Sequence, residues 1–179
     1  MRAIGNKEQV ERLIRKYEAD KSYYHSDRYN ETLLRSDFLD PLFEALGWDI
    51  KNNAGLSISE REVLLEEPLK AEAAEHTKKP DYTFRLFAER KFFLEAKKPS
   101  VSILANPSPA QQIRRYGFTA GLKISVLSNF EDLAIYDMSV SVSPNDSVSK
   151  ALIKKYHYTE YAECFDELAR LLGHDSVYN

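Results

Sequence analysis

Two carboxylates and an ammonium, Asp81, Glu95 and Lys97, stand at spacings that would gather them on one face of a β-hairpin. The apolar residues Tyr82, Phe84 and Leu86 alternate with Asp81, Thr83 and Arg85, and Phe92, Leu94 and Ala96 alternate with Phe93, Glu95 and Lys97. A period of two means strands with one buried face. With a turn at Ala88-Glu89-Arg90, Phe87 pairs with Lys91, Thr83 with Glu95 and Asp81 with Lys97. This register sends the even-numbered apolar residues to one face and Asp81, Glu95 and Lys97 to the other, whereas a slip of one residue would split the apolar sets.

Asp81 and Glu95 are then diagonal neighbours, close enough to share one ion. Two carboxylates about 4 Å apart repel by roughly 4 kcal/mol at a protein-surface dielectric, so the pair calls for a cation. Hard oxygen ligands with room for waters and a phosphate suit Mg²⁺, with Mn²⁺ as a substitute. Lys97 is placed to position or deprotonate an attacking water and to stabilise charge building on phosphorus. The plainer reading is a solvated strand face with ordinary surface charges, since acid-x-Lys triplets are common. The shared face, the preceding Pro80-Asp81 and the apolar run Phe92-Phe93-Leu94 weigh against it.

The surrounding pattern supplies the elements that must position this hairpin. Asn6, with Gln9 three residues on, caps a helix that carries Val10, Leu13, Ile14 and Tyr17 on one face. Tyr23, Tyr24 and Tyr29 lie in a polar connector. A second helix opens at Asn30, carries Glu31 in its first turn and buries Leu33, Leu34 and Phe38. Pro41 ends it, with Asp40-Pro41 as a new N-cap and first position. Leu42, Phe43, Ala45 and Leu46 continue the apolar face until Gly47. Trp48-Asp49-Ile50 begins a strand, and residues 51–79 hold a strand or short helix around Val63–Leu65 within a long excursion. A helix from Ser108-Pro109 to Gly121 carries Gln111, Gln112, Ile113, Arg114, Arg115 and Tyr116. Two strands, Ile124–Leu127 and Leu133–Tyr136, flank a turn at Asn129, and residues 141–150 form a Ser-rich loop. Thr159 caps a last helix with Tyr161, Phe165, Leu168 and Leu172 facing inward and Gly173 behind it. Helices before, between and after strands predict an α/β layered domain with a mixed sheet.

Taken together, Glu31 on a helix, Lys79-Pro80-Asp81-Tyr82, Phe93-Leu94-Glu95-Ala96-Lys97-Lys98-Pro99 and Gln112-Ile113-Arg114-Arg115-Tyr116-Gly117 resemble the PD-(D/E)xK nuclease domain of restriction enzymes. The likeness is to the N-terminal nuclease domain of single-chain restriction-modification enzymes and of type I restriction subunits. It extends through Phe38-Leu39-Asp40-Pro41-Leu42, Leu46-Gly47-Trp48 and Ile124–Phe130, and so covers most of residues 30–137; residues 51–79 match nothing in that pattern. The resemblance implies a restriction-endonuclease-like fold, a central mixed β-sheet flanked by helices. It also implies Mg²⁺-dependent, site-specific cleavage of double-stranded DNA that leaves 5′-phosphates. Asp81 and Glu95 would be metal ligands, Lys97 the catalytic lysine, Glu31 an accessory acid, and Gln112 and Tyr116 a Q-x-x-x-Y motif beside the site. By residue type alone, Glu31 is equally an acid favoured by the helix macrodipole, and Gln112 and Tyr116 simply share a helix face. Lys78, Lys79, Lys97 and Lys98 converge at the open end of the hairpin, joined by Arg114 and Arg115 as a phosphate-contacting patch, unless they only solvate an edge.

Composition bounds the rest. The 179 residues suit one domain over 1–173, with 174–179 starting a connector to a downstream domain. A net charge of −3 places most phosphate affinity elsewhere, and the resemblance implies a fused or associated methyltransferase, specificity or motor module to supply it. Cys164 is the only cysteine, which excludes an internal disulfide. The four histidines lack metal-ligand spacing, and no Gly-rich phosphate loop or Gly-x-Ser-x-Gly elbow supports ATP hydrolysis or esterase chemistry. Met1–Ala19 has no apolar signal region and no apolar run is long enough for a bilayer, so a cytoplasmic location without a membrane partner is expected. Two alternatives stand beside DNA cleavage within a restriction system: a nuclease-like fold that only binds nucleic acid or a partner, and a stand-alone repair nuclease. The intact Asp81, Glu95 and Lys97 set opposes the first, and the low basic charge opposes the second.

Overall fold

The computed structural model describes residues 6–67 and 79–178. Helix α1 (Lys7–Ala19) begins where the Asn6 side chain accepts from the Glu8 amide at 2.9 Å, and it buries Val10, Leu13 and Tyr17. A short helix α2 (Lys21–Tyr24) follows. Tyr29 is not part of a polar connector but fully buried, ringed by Tyr23, Tyr24 and Phe38 at centroid distances of 5.9, 4.8 and 6.5 Å. Its hydroxyl donates to Asp37 Oδ2 at 2.8 Å, which fixes the chain just before α3 (Glu31–Leu34). There Asn30 is the N-cap, as expected, while Leu33 points outward.

Pro41 does not restart the helix. Arg35–Leu39 form a π-turn, and Asp40 keeps helical angles (φ −55°, ψ −52°) into α4 (Asp40–Ala45). The proline has no N–H for the Asp37 carbonyl four residues earlier, and Lys16 Nζ donates to that oxygen at 3.0 Å. Trp48-Asp49-Ile50 forms a turn rather than a strand. The Asp49 carboxylate accepts from the amides of Asn53 (2.7 Å) and Ala54 (3.0 Å), and Trp48 Nε1 donates to Leu172 O at 2.7 Å. Side-chain-to-backbone bonding of this kind competes with a strand ladder.

Among the described residues six strands follow: β1 (Val63–Leu65), β2 (Tyr82–Leu86), β3 (Glu89–Ala96), β4 (Ile124–Ser128), β5 (Asp132–Asp137) and β6 (Leu152–His157). They lie in that spatial order, all antiparallel except β3–β4, which helix α5 (Pro107–Thr119) joins as a parallel crossover. The sheet is mixed and flanked by helices, an α/β architecture as expected. The residues of α1, α3, α4 and a later helix α6 (Phe165–Leu172) pack with Tyr82, Phe84, Phe92 and Leu94 on one face. Ala110, Ile113 and Tyr116 of α5 pack with Phe93, Leu127 and Tyr136 on the other.

The β2–β3 turn differs from the sequence reading. Phe87 (φ 51°) and Ala88 (φ 65°) make a two-residue loop, the geometry that matches strand twist in tight hairpins, although neither is the glycine or asparagine that usually signals it. Leu86 then pairs with Glu89, a bulge between Phe84 and Arg85 absorbs one residue, and Thr83 faces Phe93 instead of Glu95. From Tyr82 to Phe84 the offset from the expected register is two residues, so the pairs on the site side of the bulge keep their faces, while beyond it, where Arg85 meets Arg90, the offset is three. Strand β6 was not legible, because Ile153, Lys154 and Lys155 are all exposed on this edge and no alternation shows; lysines here protect an open edge. Thr159 is not the last helix's cap: Tyr158–Glu160 form a 3₁₀ turn with a capping box on His157, and α6 starts only after Cys164. From residue 174 the chain forms α7 (His174–Tyr178), whose buried first residue donates its amide to Leu46 O at 3.0 Å.

Helix α5 lies unusually close to the sheet at Gly117. A Cβ there would sit 2.1 Å from Met138 Sδ and 2.6 Å from Ser125 Oγ, both buried. Gly117→Val is expected to cost about 1–3 kcal/mol in urea unfolding and to displace the neighbouring Tyr116. An unchanged midpoint would show that the helix has slack at this crossing.

Candidate functional site

Asp81 precedes β2 and Glu95 lies near the end of β3. Because Tyr82 pairs with Leu94, the next step of the ladder sets Asp81 directly opposite Glu95, closer than the diagonal placement expected. Asp81 is fixed from two sides. Its Oδ2 accepts from the Ala96 amide at 2.7 Å, and its carbonyl accepts from the Glu66 amide at 3.0 Å. Glu95 is 6% exposed, and its Oε2 is buried without a hydrogen-bond partner among the described residues.

The electrostatics show which groups converge here. Burial, then a hydrogen bond that the protonated Glu95 donates to Asp81 and the negative charge of Asp81, push the Glu95 carboxyl up to about 9, with Lys97 pulling it down and Glu31 adding to the rise. Asp81, Lys97 and Glu31 are therefore all within reach of Glu95. Tyr116 belongs to the same field: burial raises its hydroxyl, a hydrogen bond from Gln112 opposes this, and Glu95 and Asp81 raise it further. Gln112 Nε2 donates to Tyr116 Oη at 2.8 Å, so the two helix residues act as one unit facing the acids.

The basic residues separate. Lys79 and Arg115 are exposed and Lys98 is partly exposed. Arg114 does not join a surface patch. It is 1% exposed, with Nη1 donating to Asp146 Oδ2 at 2.9 Å and Nη2 to Ser141 O at 3.0 Å, so it pins the 141–150 loop against α5. Position 114 follows Ile113 onto the inner face of the helix, whereas Arg115 turns outward. Lys78 and His76 lie outside the described residues. The other three histidines each meet an acid: His25 with Glu131, His157 with Asp132, and His174 with Asp175.

One residue was missed by sequence reasoning. Arg35 Nη1 is 3.5 Å from Asp81 Oδ1 and 3.5 Å from Glu66 Oε1, and its Nη2 donates to the Asp81 carbonyl at 3.3 Å. Its guanidinium lies 4.9 Å from the Tyr82 ring centroid, and Tyr82 donates to Asp40 Oδ1 at 2.5 Å. The only available signal was its spacing of four from Glu31 on a helix.

Among the described residues no three acidic, histidine or cysteine side chains form a ready-made cage for a metal. Two opposed carboxylates, with a buried acceptor atom on Glu95 still lacking a partner, fit a hard divalent ion that keeps several waters. Asp81 and Glu95 would hold it.

No family model matches this chain. It is 64% identical over 175 residues to the type II restriction enzyme and methyltransferase RM.Eco57I of Escherichia coli, a match covering 98% of this chain and 18% of that protein. Its fold resembles a chain of the cryoEM structure of the DrdV–DNA complex, with a TM-score of 0.51 and 14% identity over 93% of this chain and 96% of that one.

A carboxyl that titrates near 9 when folded and near 4.5 when unfolded binds its proton more tightly in the native state. That stabilisation is complete below pH 4.5 and disappears as pH rises towards 9. In chelator at pH 8, Glu95→Gln is therefore expected to melt above the parent, by on the order of 2 kcal/mol or more, with the gap closing near pH 4. Equal melting at pH 8 would mean that the Glu95 charge is already compensated. At the helix, Arg114→Ala is expected to lower the melting temperature while Arg115→Ala leaves it unchanged; the reverse order in thermal melts would contradict the assignment of Arg114 to the loop.

Proposed function

We propose that this chain is the DNA-cleaving domain of a restriction-modification protein, an endonuclease that uses Mg²⁺, with Mn²⁺ substituting, to hydrolyse phosphodiester bonds. The observation that carries this reading is the opposed pair of Asp81 and Glu95, with a buried oxygen on Glu95 that has no partner among the described residues and Lys97 two residues further along. When bound, the divalent ion supplies charge neutralisation at the scissile phosphate and a more acidic water. Asp81 and Glu95 would hold that ion. Lys97 orients the attacking water and stabilises the negative charge that grows on phosphorus. Water adds its oxygen to phosphorus and gives up a proton to solvent, the bond to the 3′-oxygen breaks, and that oxygen takes up a proton, leaving a 5′-phosphate and a 3′-hydroxyl. Glu31 adds an acid beside Glu95, and the Gln112–Tyr116 pair lines the approach. Lys79, Lys98 and Arg115 contact backbone phosphates of double-stranded DNA, which position a duplex without reading its sequence.

A net charge of −3 gives little long-range attraction to DNA, so targeting falls to another module. The match to 18% of a protein named for both restriction and methylation supports a methyltransferase fused to this domain as that module. Tethering raises the local DNA concentration to roughly millimolar and replaces intrinsic affinity. Such a protein meets its substrate in the cytoplasm, and no helix among the described residues is long and apolar enough to cross a membrane.

The 179-residue chain is expected to nick and cut plasmid DNA slowly and without sequence preference in Mg²⁺, and not at all in chelator. Asp81→Ala, Glu95→Ala and Lys97→Ala should each reduce the rate by at least about a hundredfold while the far-UV spectrum is preserved. A triple-alanine variant that cuts like the parent would remove these residues from the chemistry. Tight, sequence-specific gel shifts by the chain alone would refute the targeting argument.

A further inference from the structure

Among the described residues, several acids gather around Asp81. Asp81 faces Glu95, Glu31 acts on Glu95, and Arg35 interacts with both Asp40 and Glu66. Arg35 is the group whose guanidinium meets Asp81 directly. Its side chain is 16% exposed, and it is held by contacts that do not need the Asp81 carboxylate: the Asp81 carbonyl, Glu66 and the Tyr82 ring. Asp81, in turn, is fixed without Arg35 by the Ala96 and Glu66 amides. Each residue is therefore held by contacts other than the ion pair between their side chains. What passes between them is charge.

We propose that Arg35 is the resident counter-charge of this site, offsetting the opposed carboxylates when no divalent ion is bound and weakening the ion's affinity when one is. The inference rests on the metal-dependent reading of Asp81 and Glu95. A fixed guanidinium next to a ligand oxygen repels an incoming dication through a partly buried medium, where such interactions are several-fold stronger than in water. The arrangement stabilises the metal-free fold and keeps metal binding weak and reversible. Arg35 is thus a positioning residue acting on the electrostatics of Asp81, and it touches no reacting atom.

The test is calorimetric titration of the chain with MnCl₂, paired with thermal melts in chelator, for the parent, Arg35→Gln and Arg35→Lys. The glutamine variant is expected to melt lower in chelator yet bind Mn²⁺ roughly tenfold more tightly. The lysine variant keeps the charge and should bind as the parent does. A residue that served only packing or geometry would lower stability without tightening the metal, so equal or weaker Mn²⁺ binding by Arg35→Gln overturns the proposal. If the glutamine variant is unfolded in chelator, saturating Mn²⁺ should restore its near-UV spectrum by replacing the missing charge, and failure to do so overturns it equally. Asp81→Asn separates the two levels of inference. If it abolishes Mn²⁺ binding while Arg35→Gln leaves it unchanged, the metal site stands and the role of Arg35 falls. If the parent binds no Mn²⁺, both fall.

Discussion

Setting Asp81 opposite Glu95 across the start of a hairpin forces two carboxylates together where water has little access, and the surrounding structure is organised around that repulsion. Glu95 meets it by holding its proton far above the ordinary carboxylate range. Asp81 meets it with a backbone amide on one oxygen and a guanidinium beside the other. Lys97 adds a positive charge within reach of Glu95. A divalent ion would answer the same conflict in a single step, which is why an arrangement that costs stability in the bare protein is suited to binding one.

The helical layer shows how that conflict shapes elements distant in sequence. The π-turn at Arg35–Leu39 carries the chain through Pro41 without a break, so Glu31 and Arg35 are delivered by one continuous helical segment. Single π-turns inside α-helices are often found at functional sites, since the extra residue redirects side chains that a regular helix would point elsewhere. The segment is anchored by polar contacts as well as by packing. Tyr29 bonds to Asp37, Lys16 caps the carbonyl that proline leaves, and Tyr82 bonds to Asp40 across to the sheet.

On the opposite face α5 plays the corresponding part. The absence of a side chain at Gly117 lets it approach the sheet closely, and buried Arg114 ties it to the loop at Asp146. Both contacts hold Gln112 and Tyr116 in register with the acids. The site is therefore clamped between two helical layers that meet the sheet through its alternating faces, which is how a strand ladder turns a one-dimensional pattern into a defined cluster.

The sequence by itself determined the composition of the cluster. Period-two alternation places Asp81, Glu95 and Lys97 on one face for any register offset by an even number of residues, so the two-residue offset on the site side of the bulge did not disturb it. The helix caps at Asn6 and Asn30 and the crossover helix were equally legible, because local hydrogen bonding and periodicity specify them. Only the tertiary structure decided the positive-φ turn at Phe87-Ala88, the bulge and the direct opposition of the two acids, since these depend on strand twist. Only the tertiary structure assigned Arg114 inward, Tyr29 to the core and Arg35 to Asp81. An arginine or a tyrosine has the same character in sequence whether it faces water or a buried partner; the acids that decide for Arg35 and Arg114 lie 46 and 32 residues away, and the rings around Tyr29 meet it only because the helices fold together.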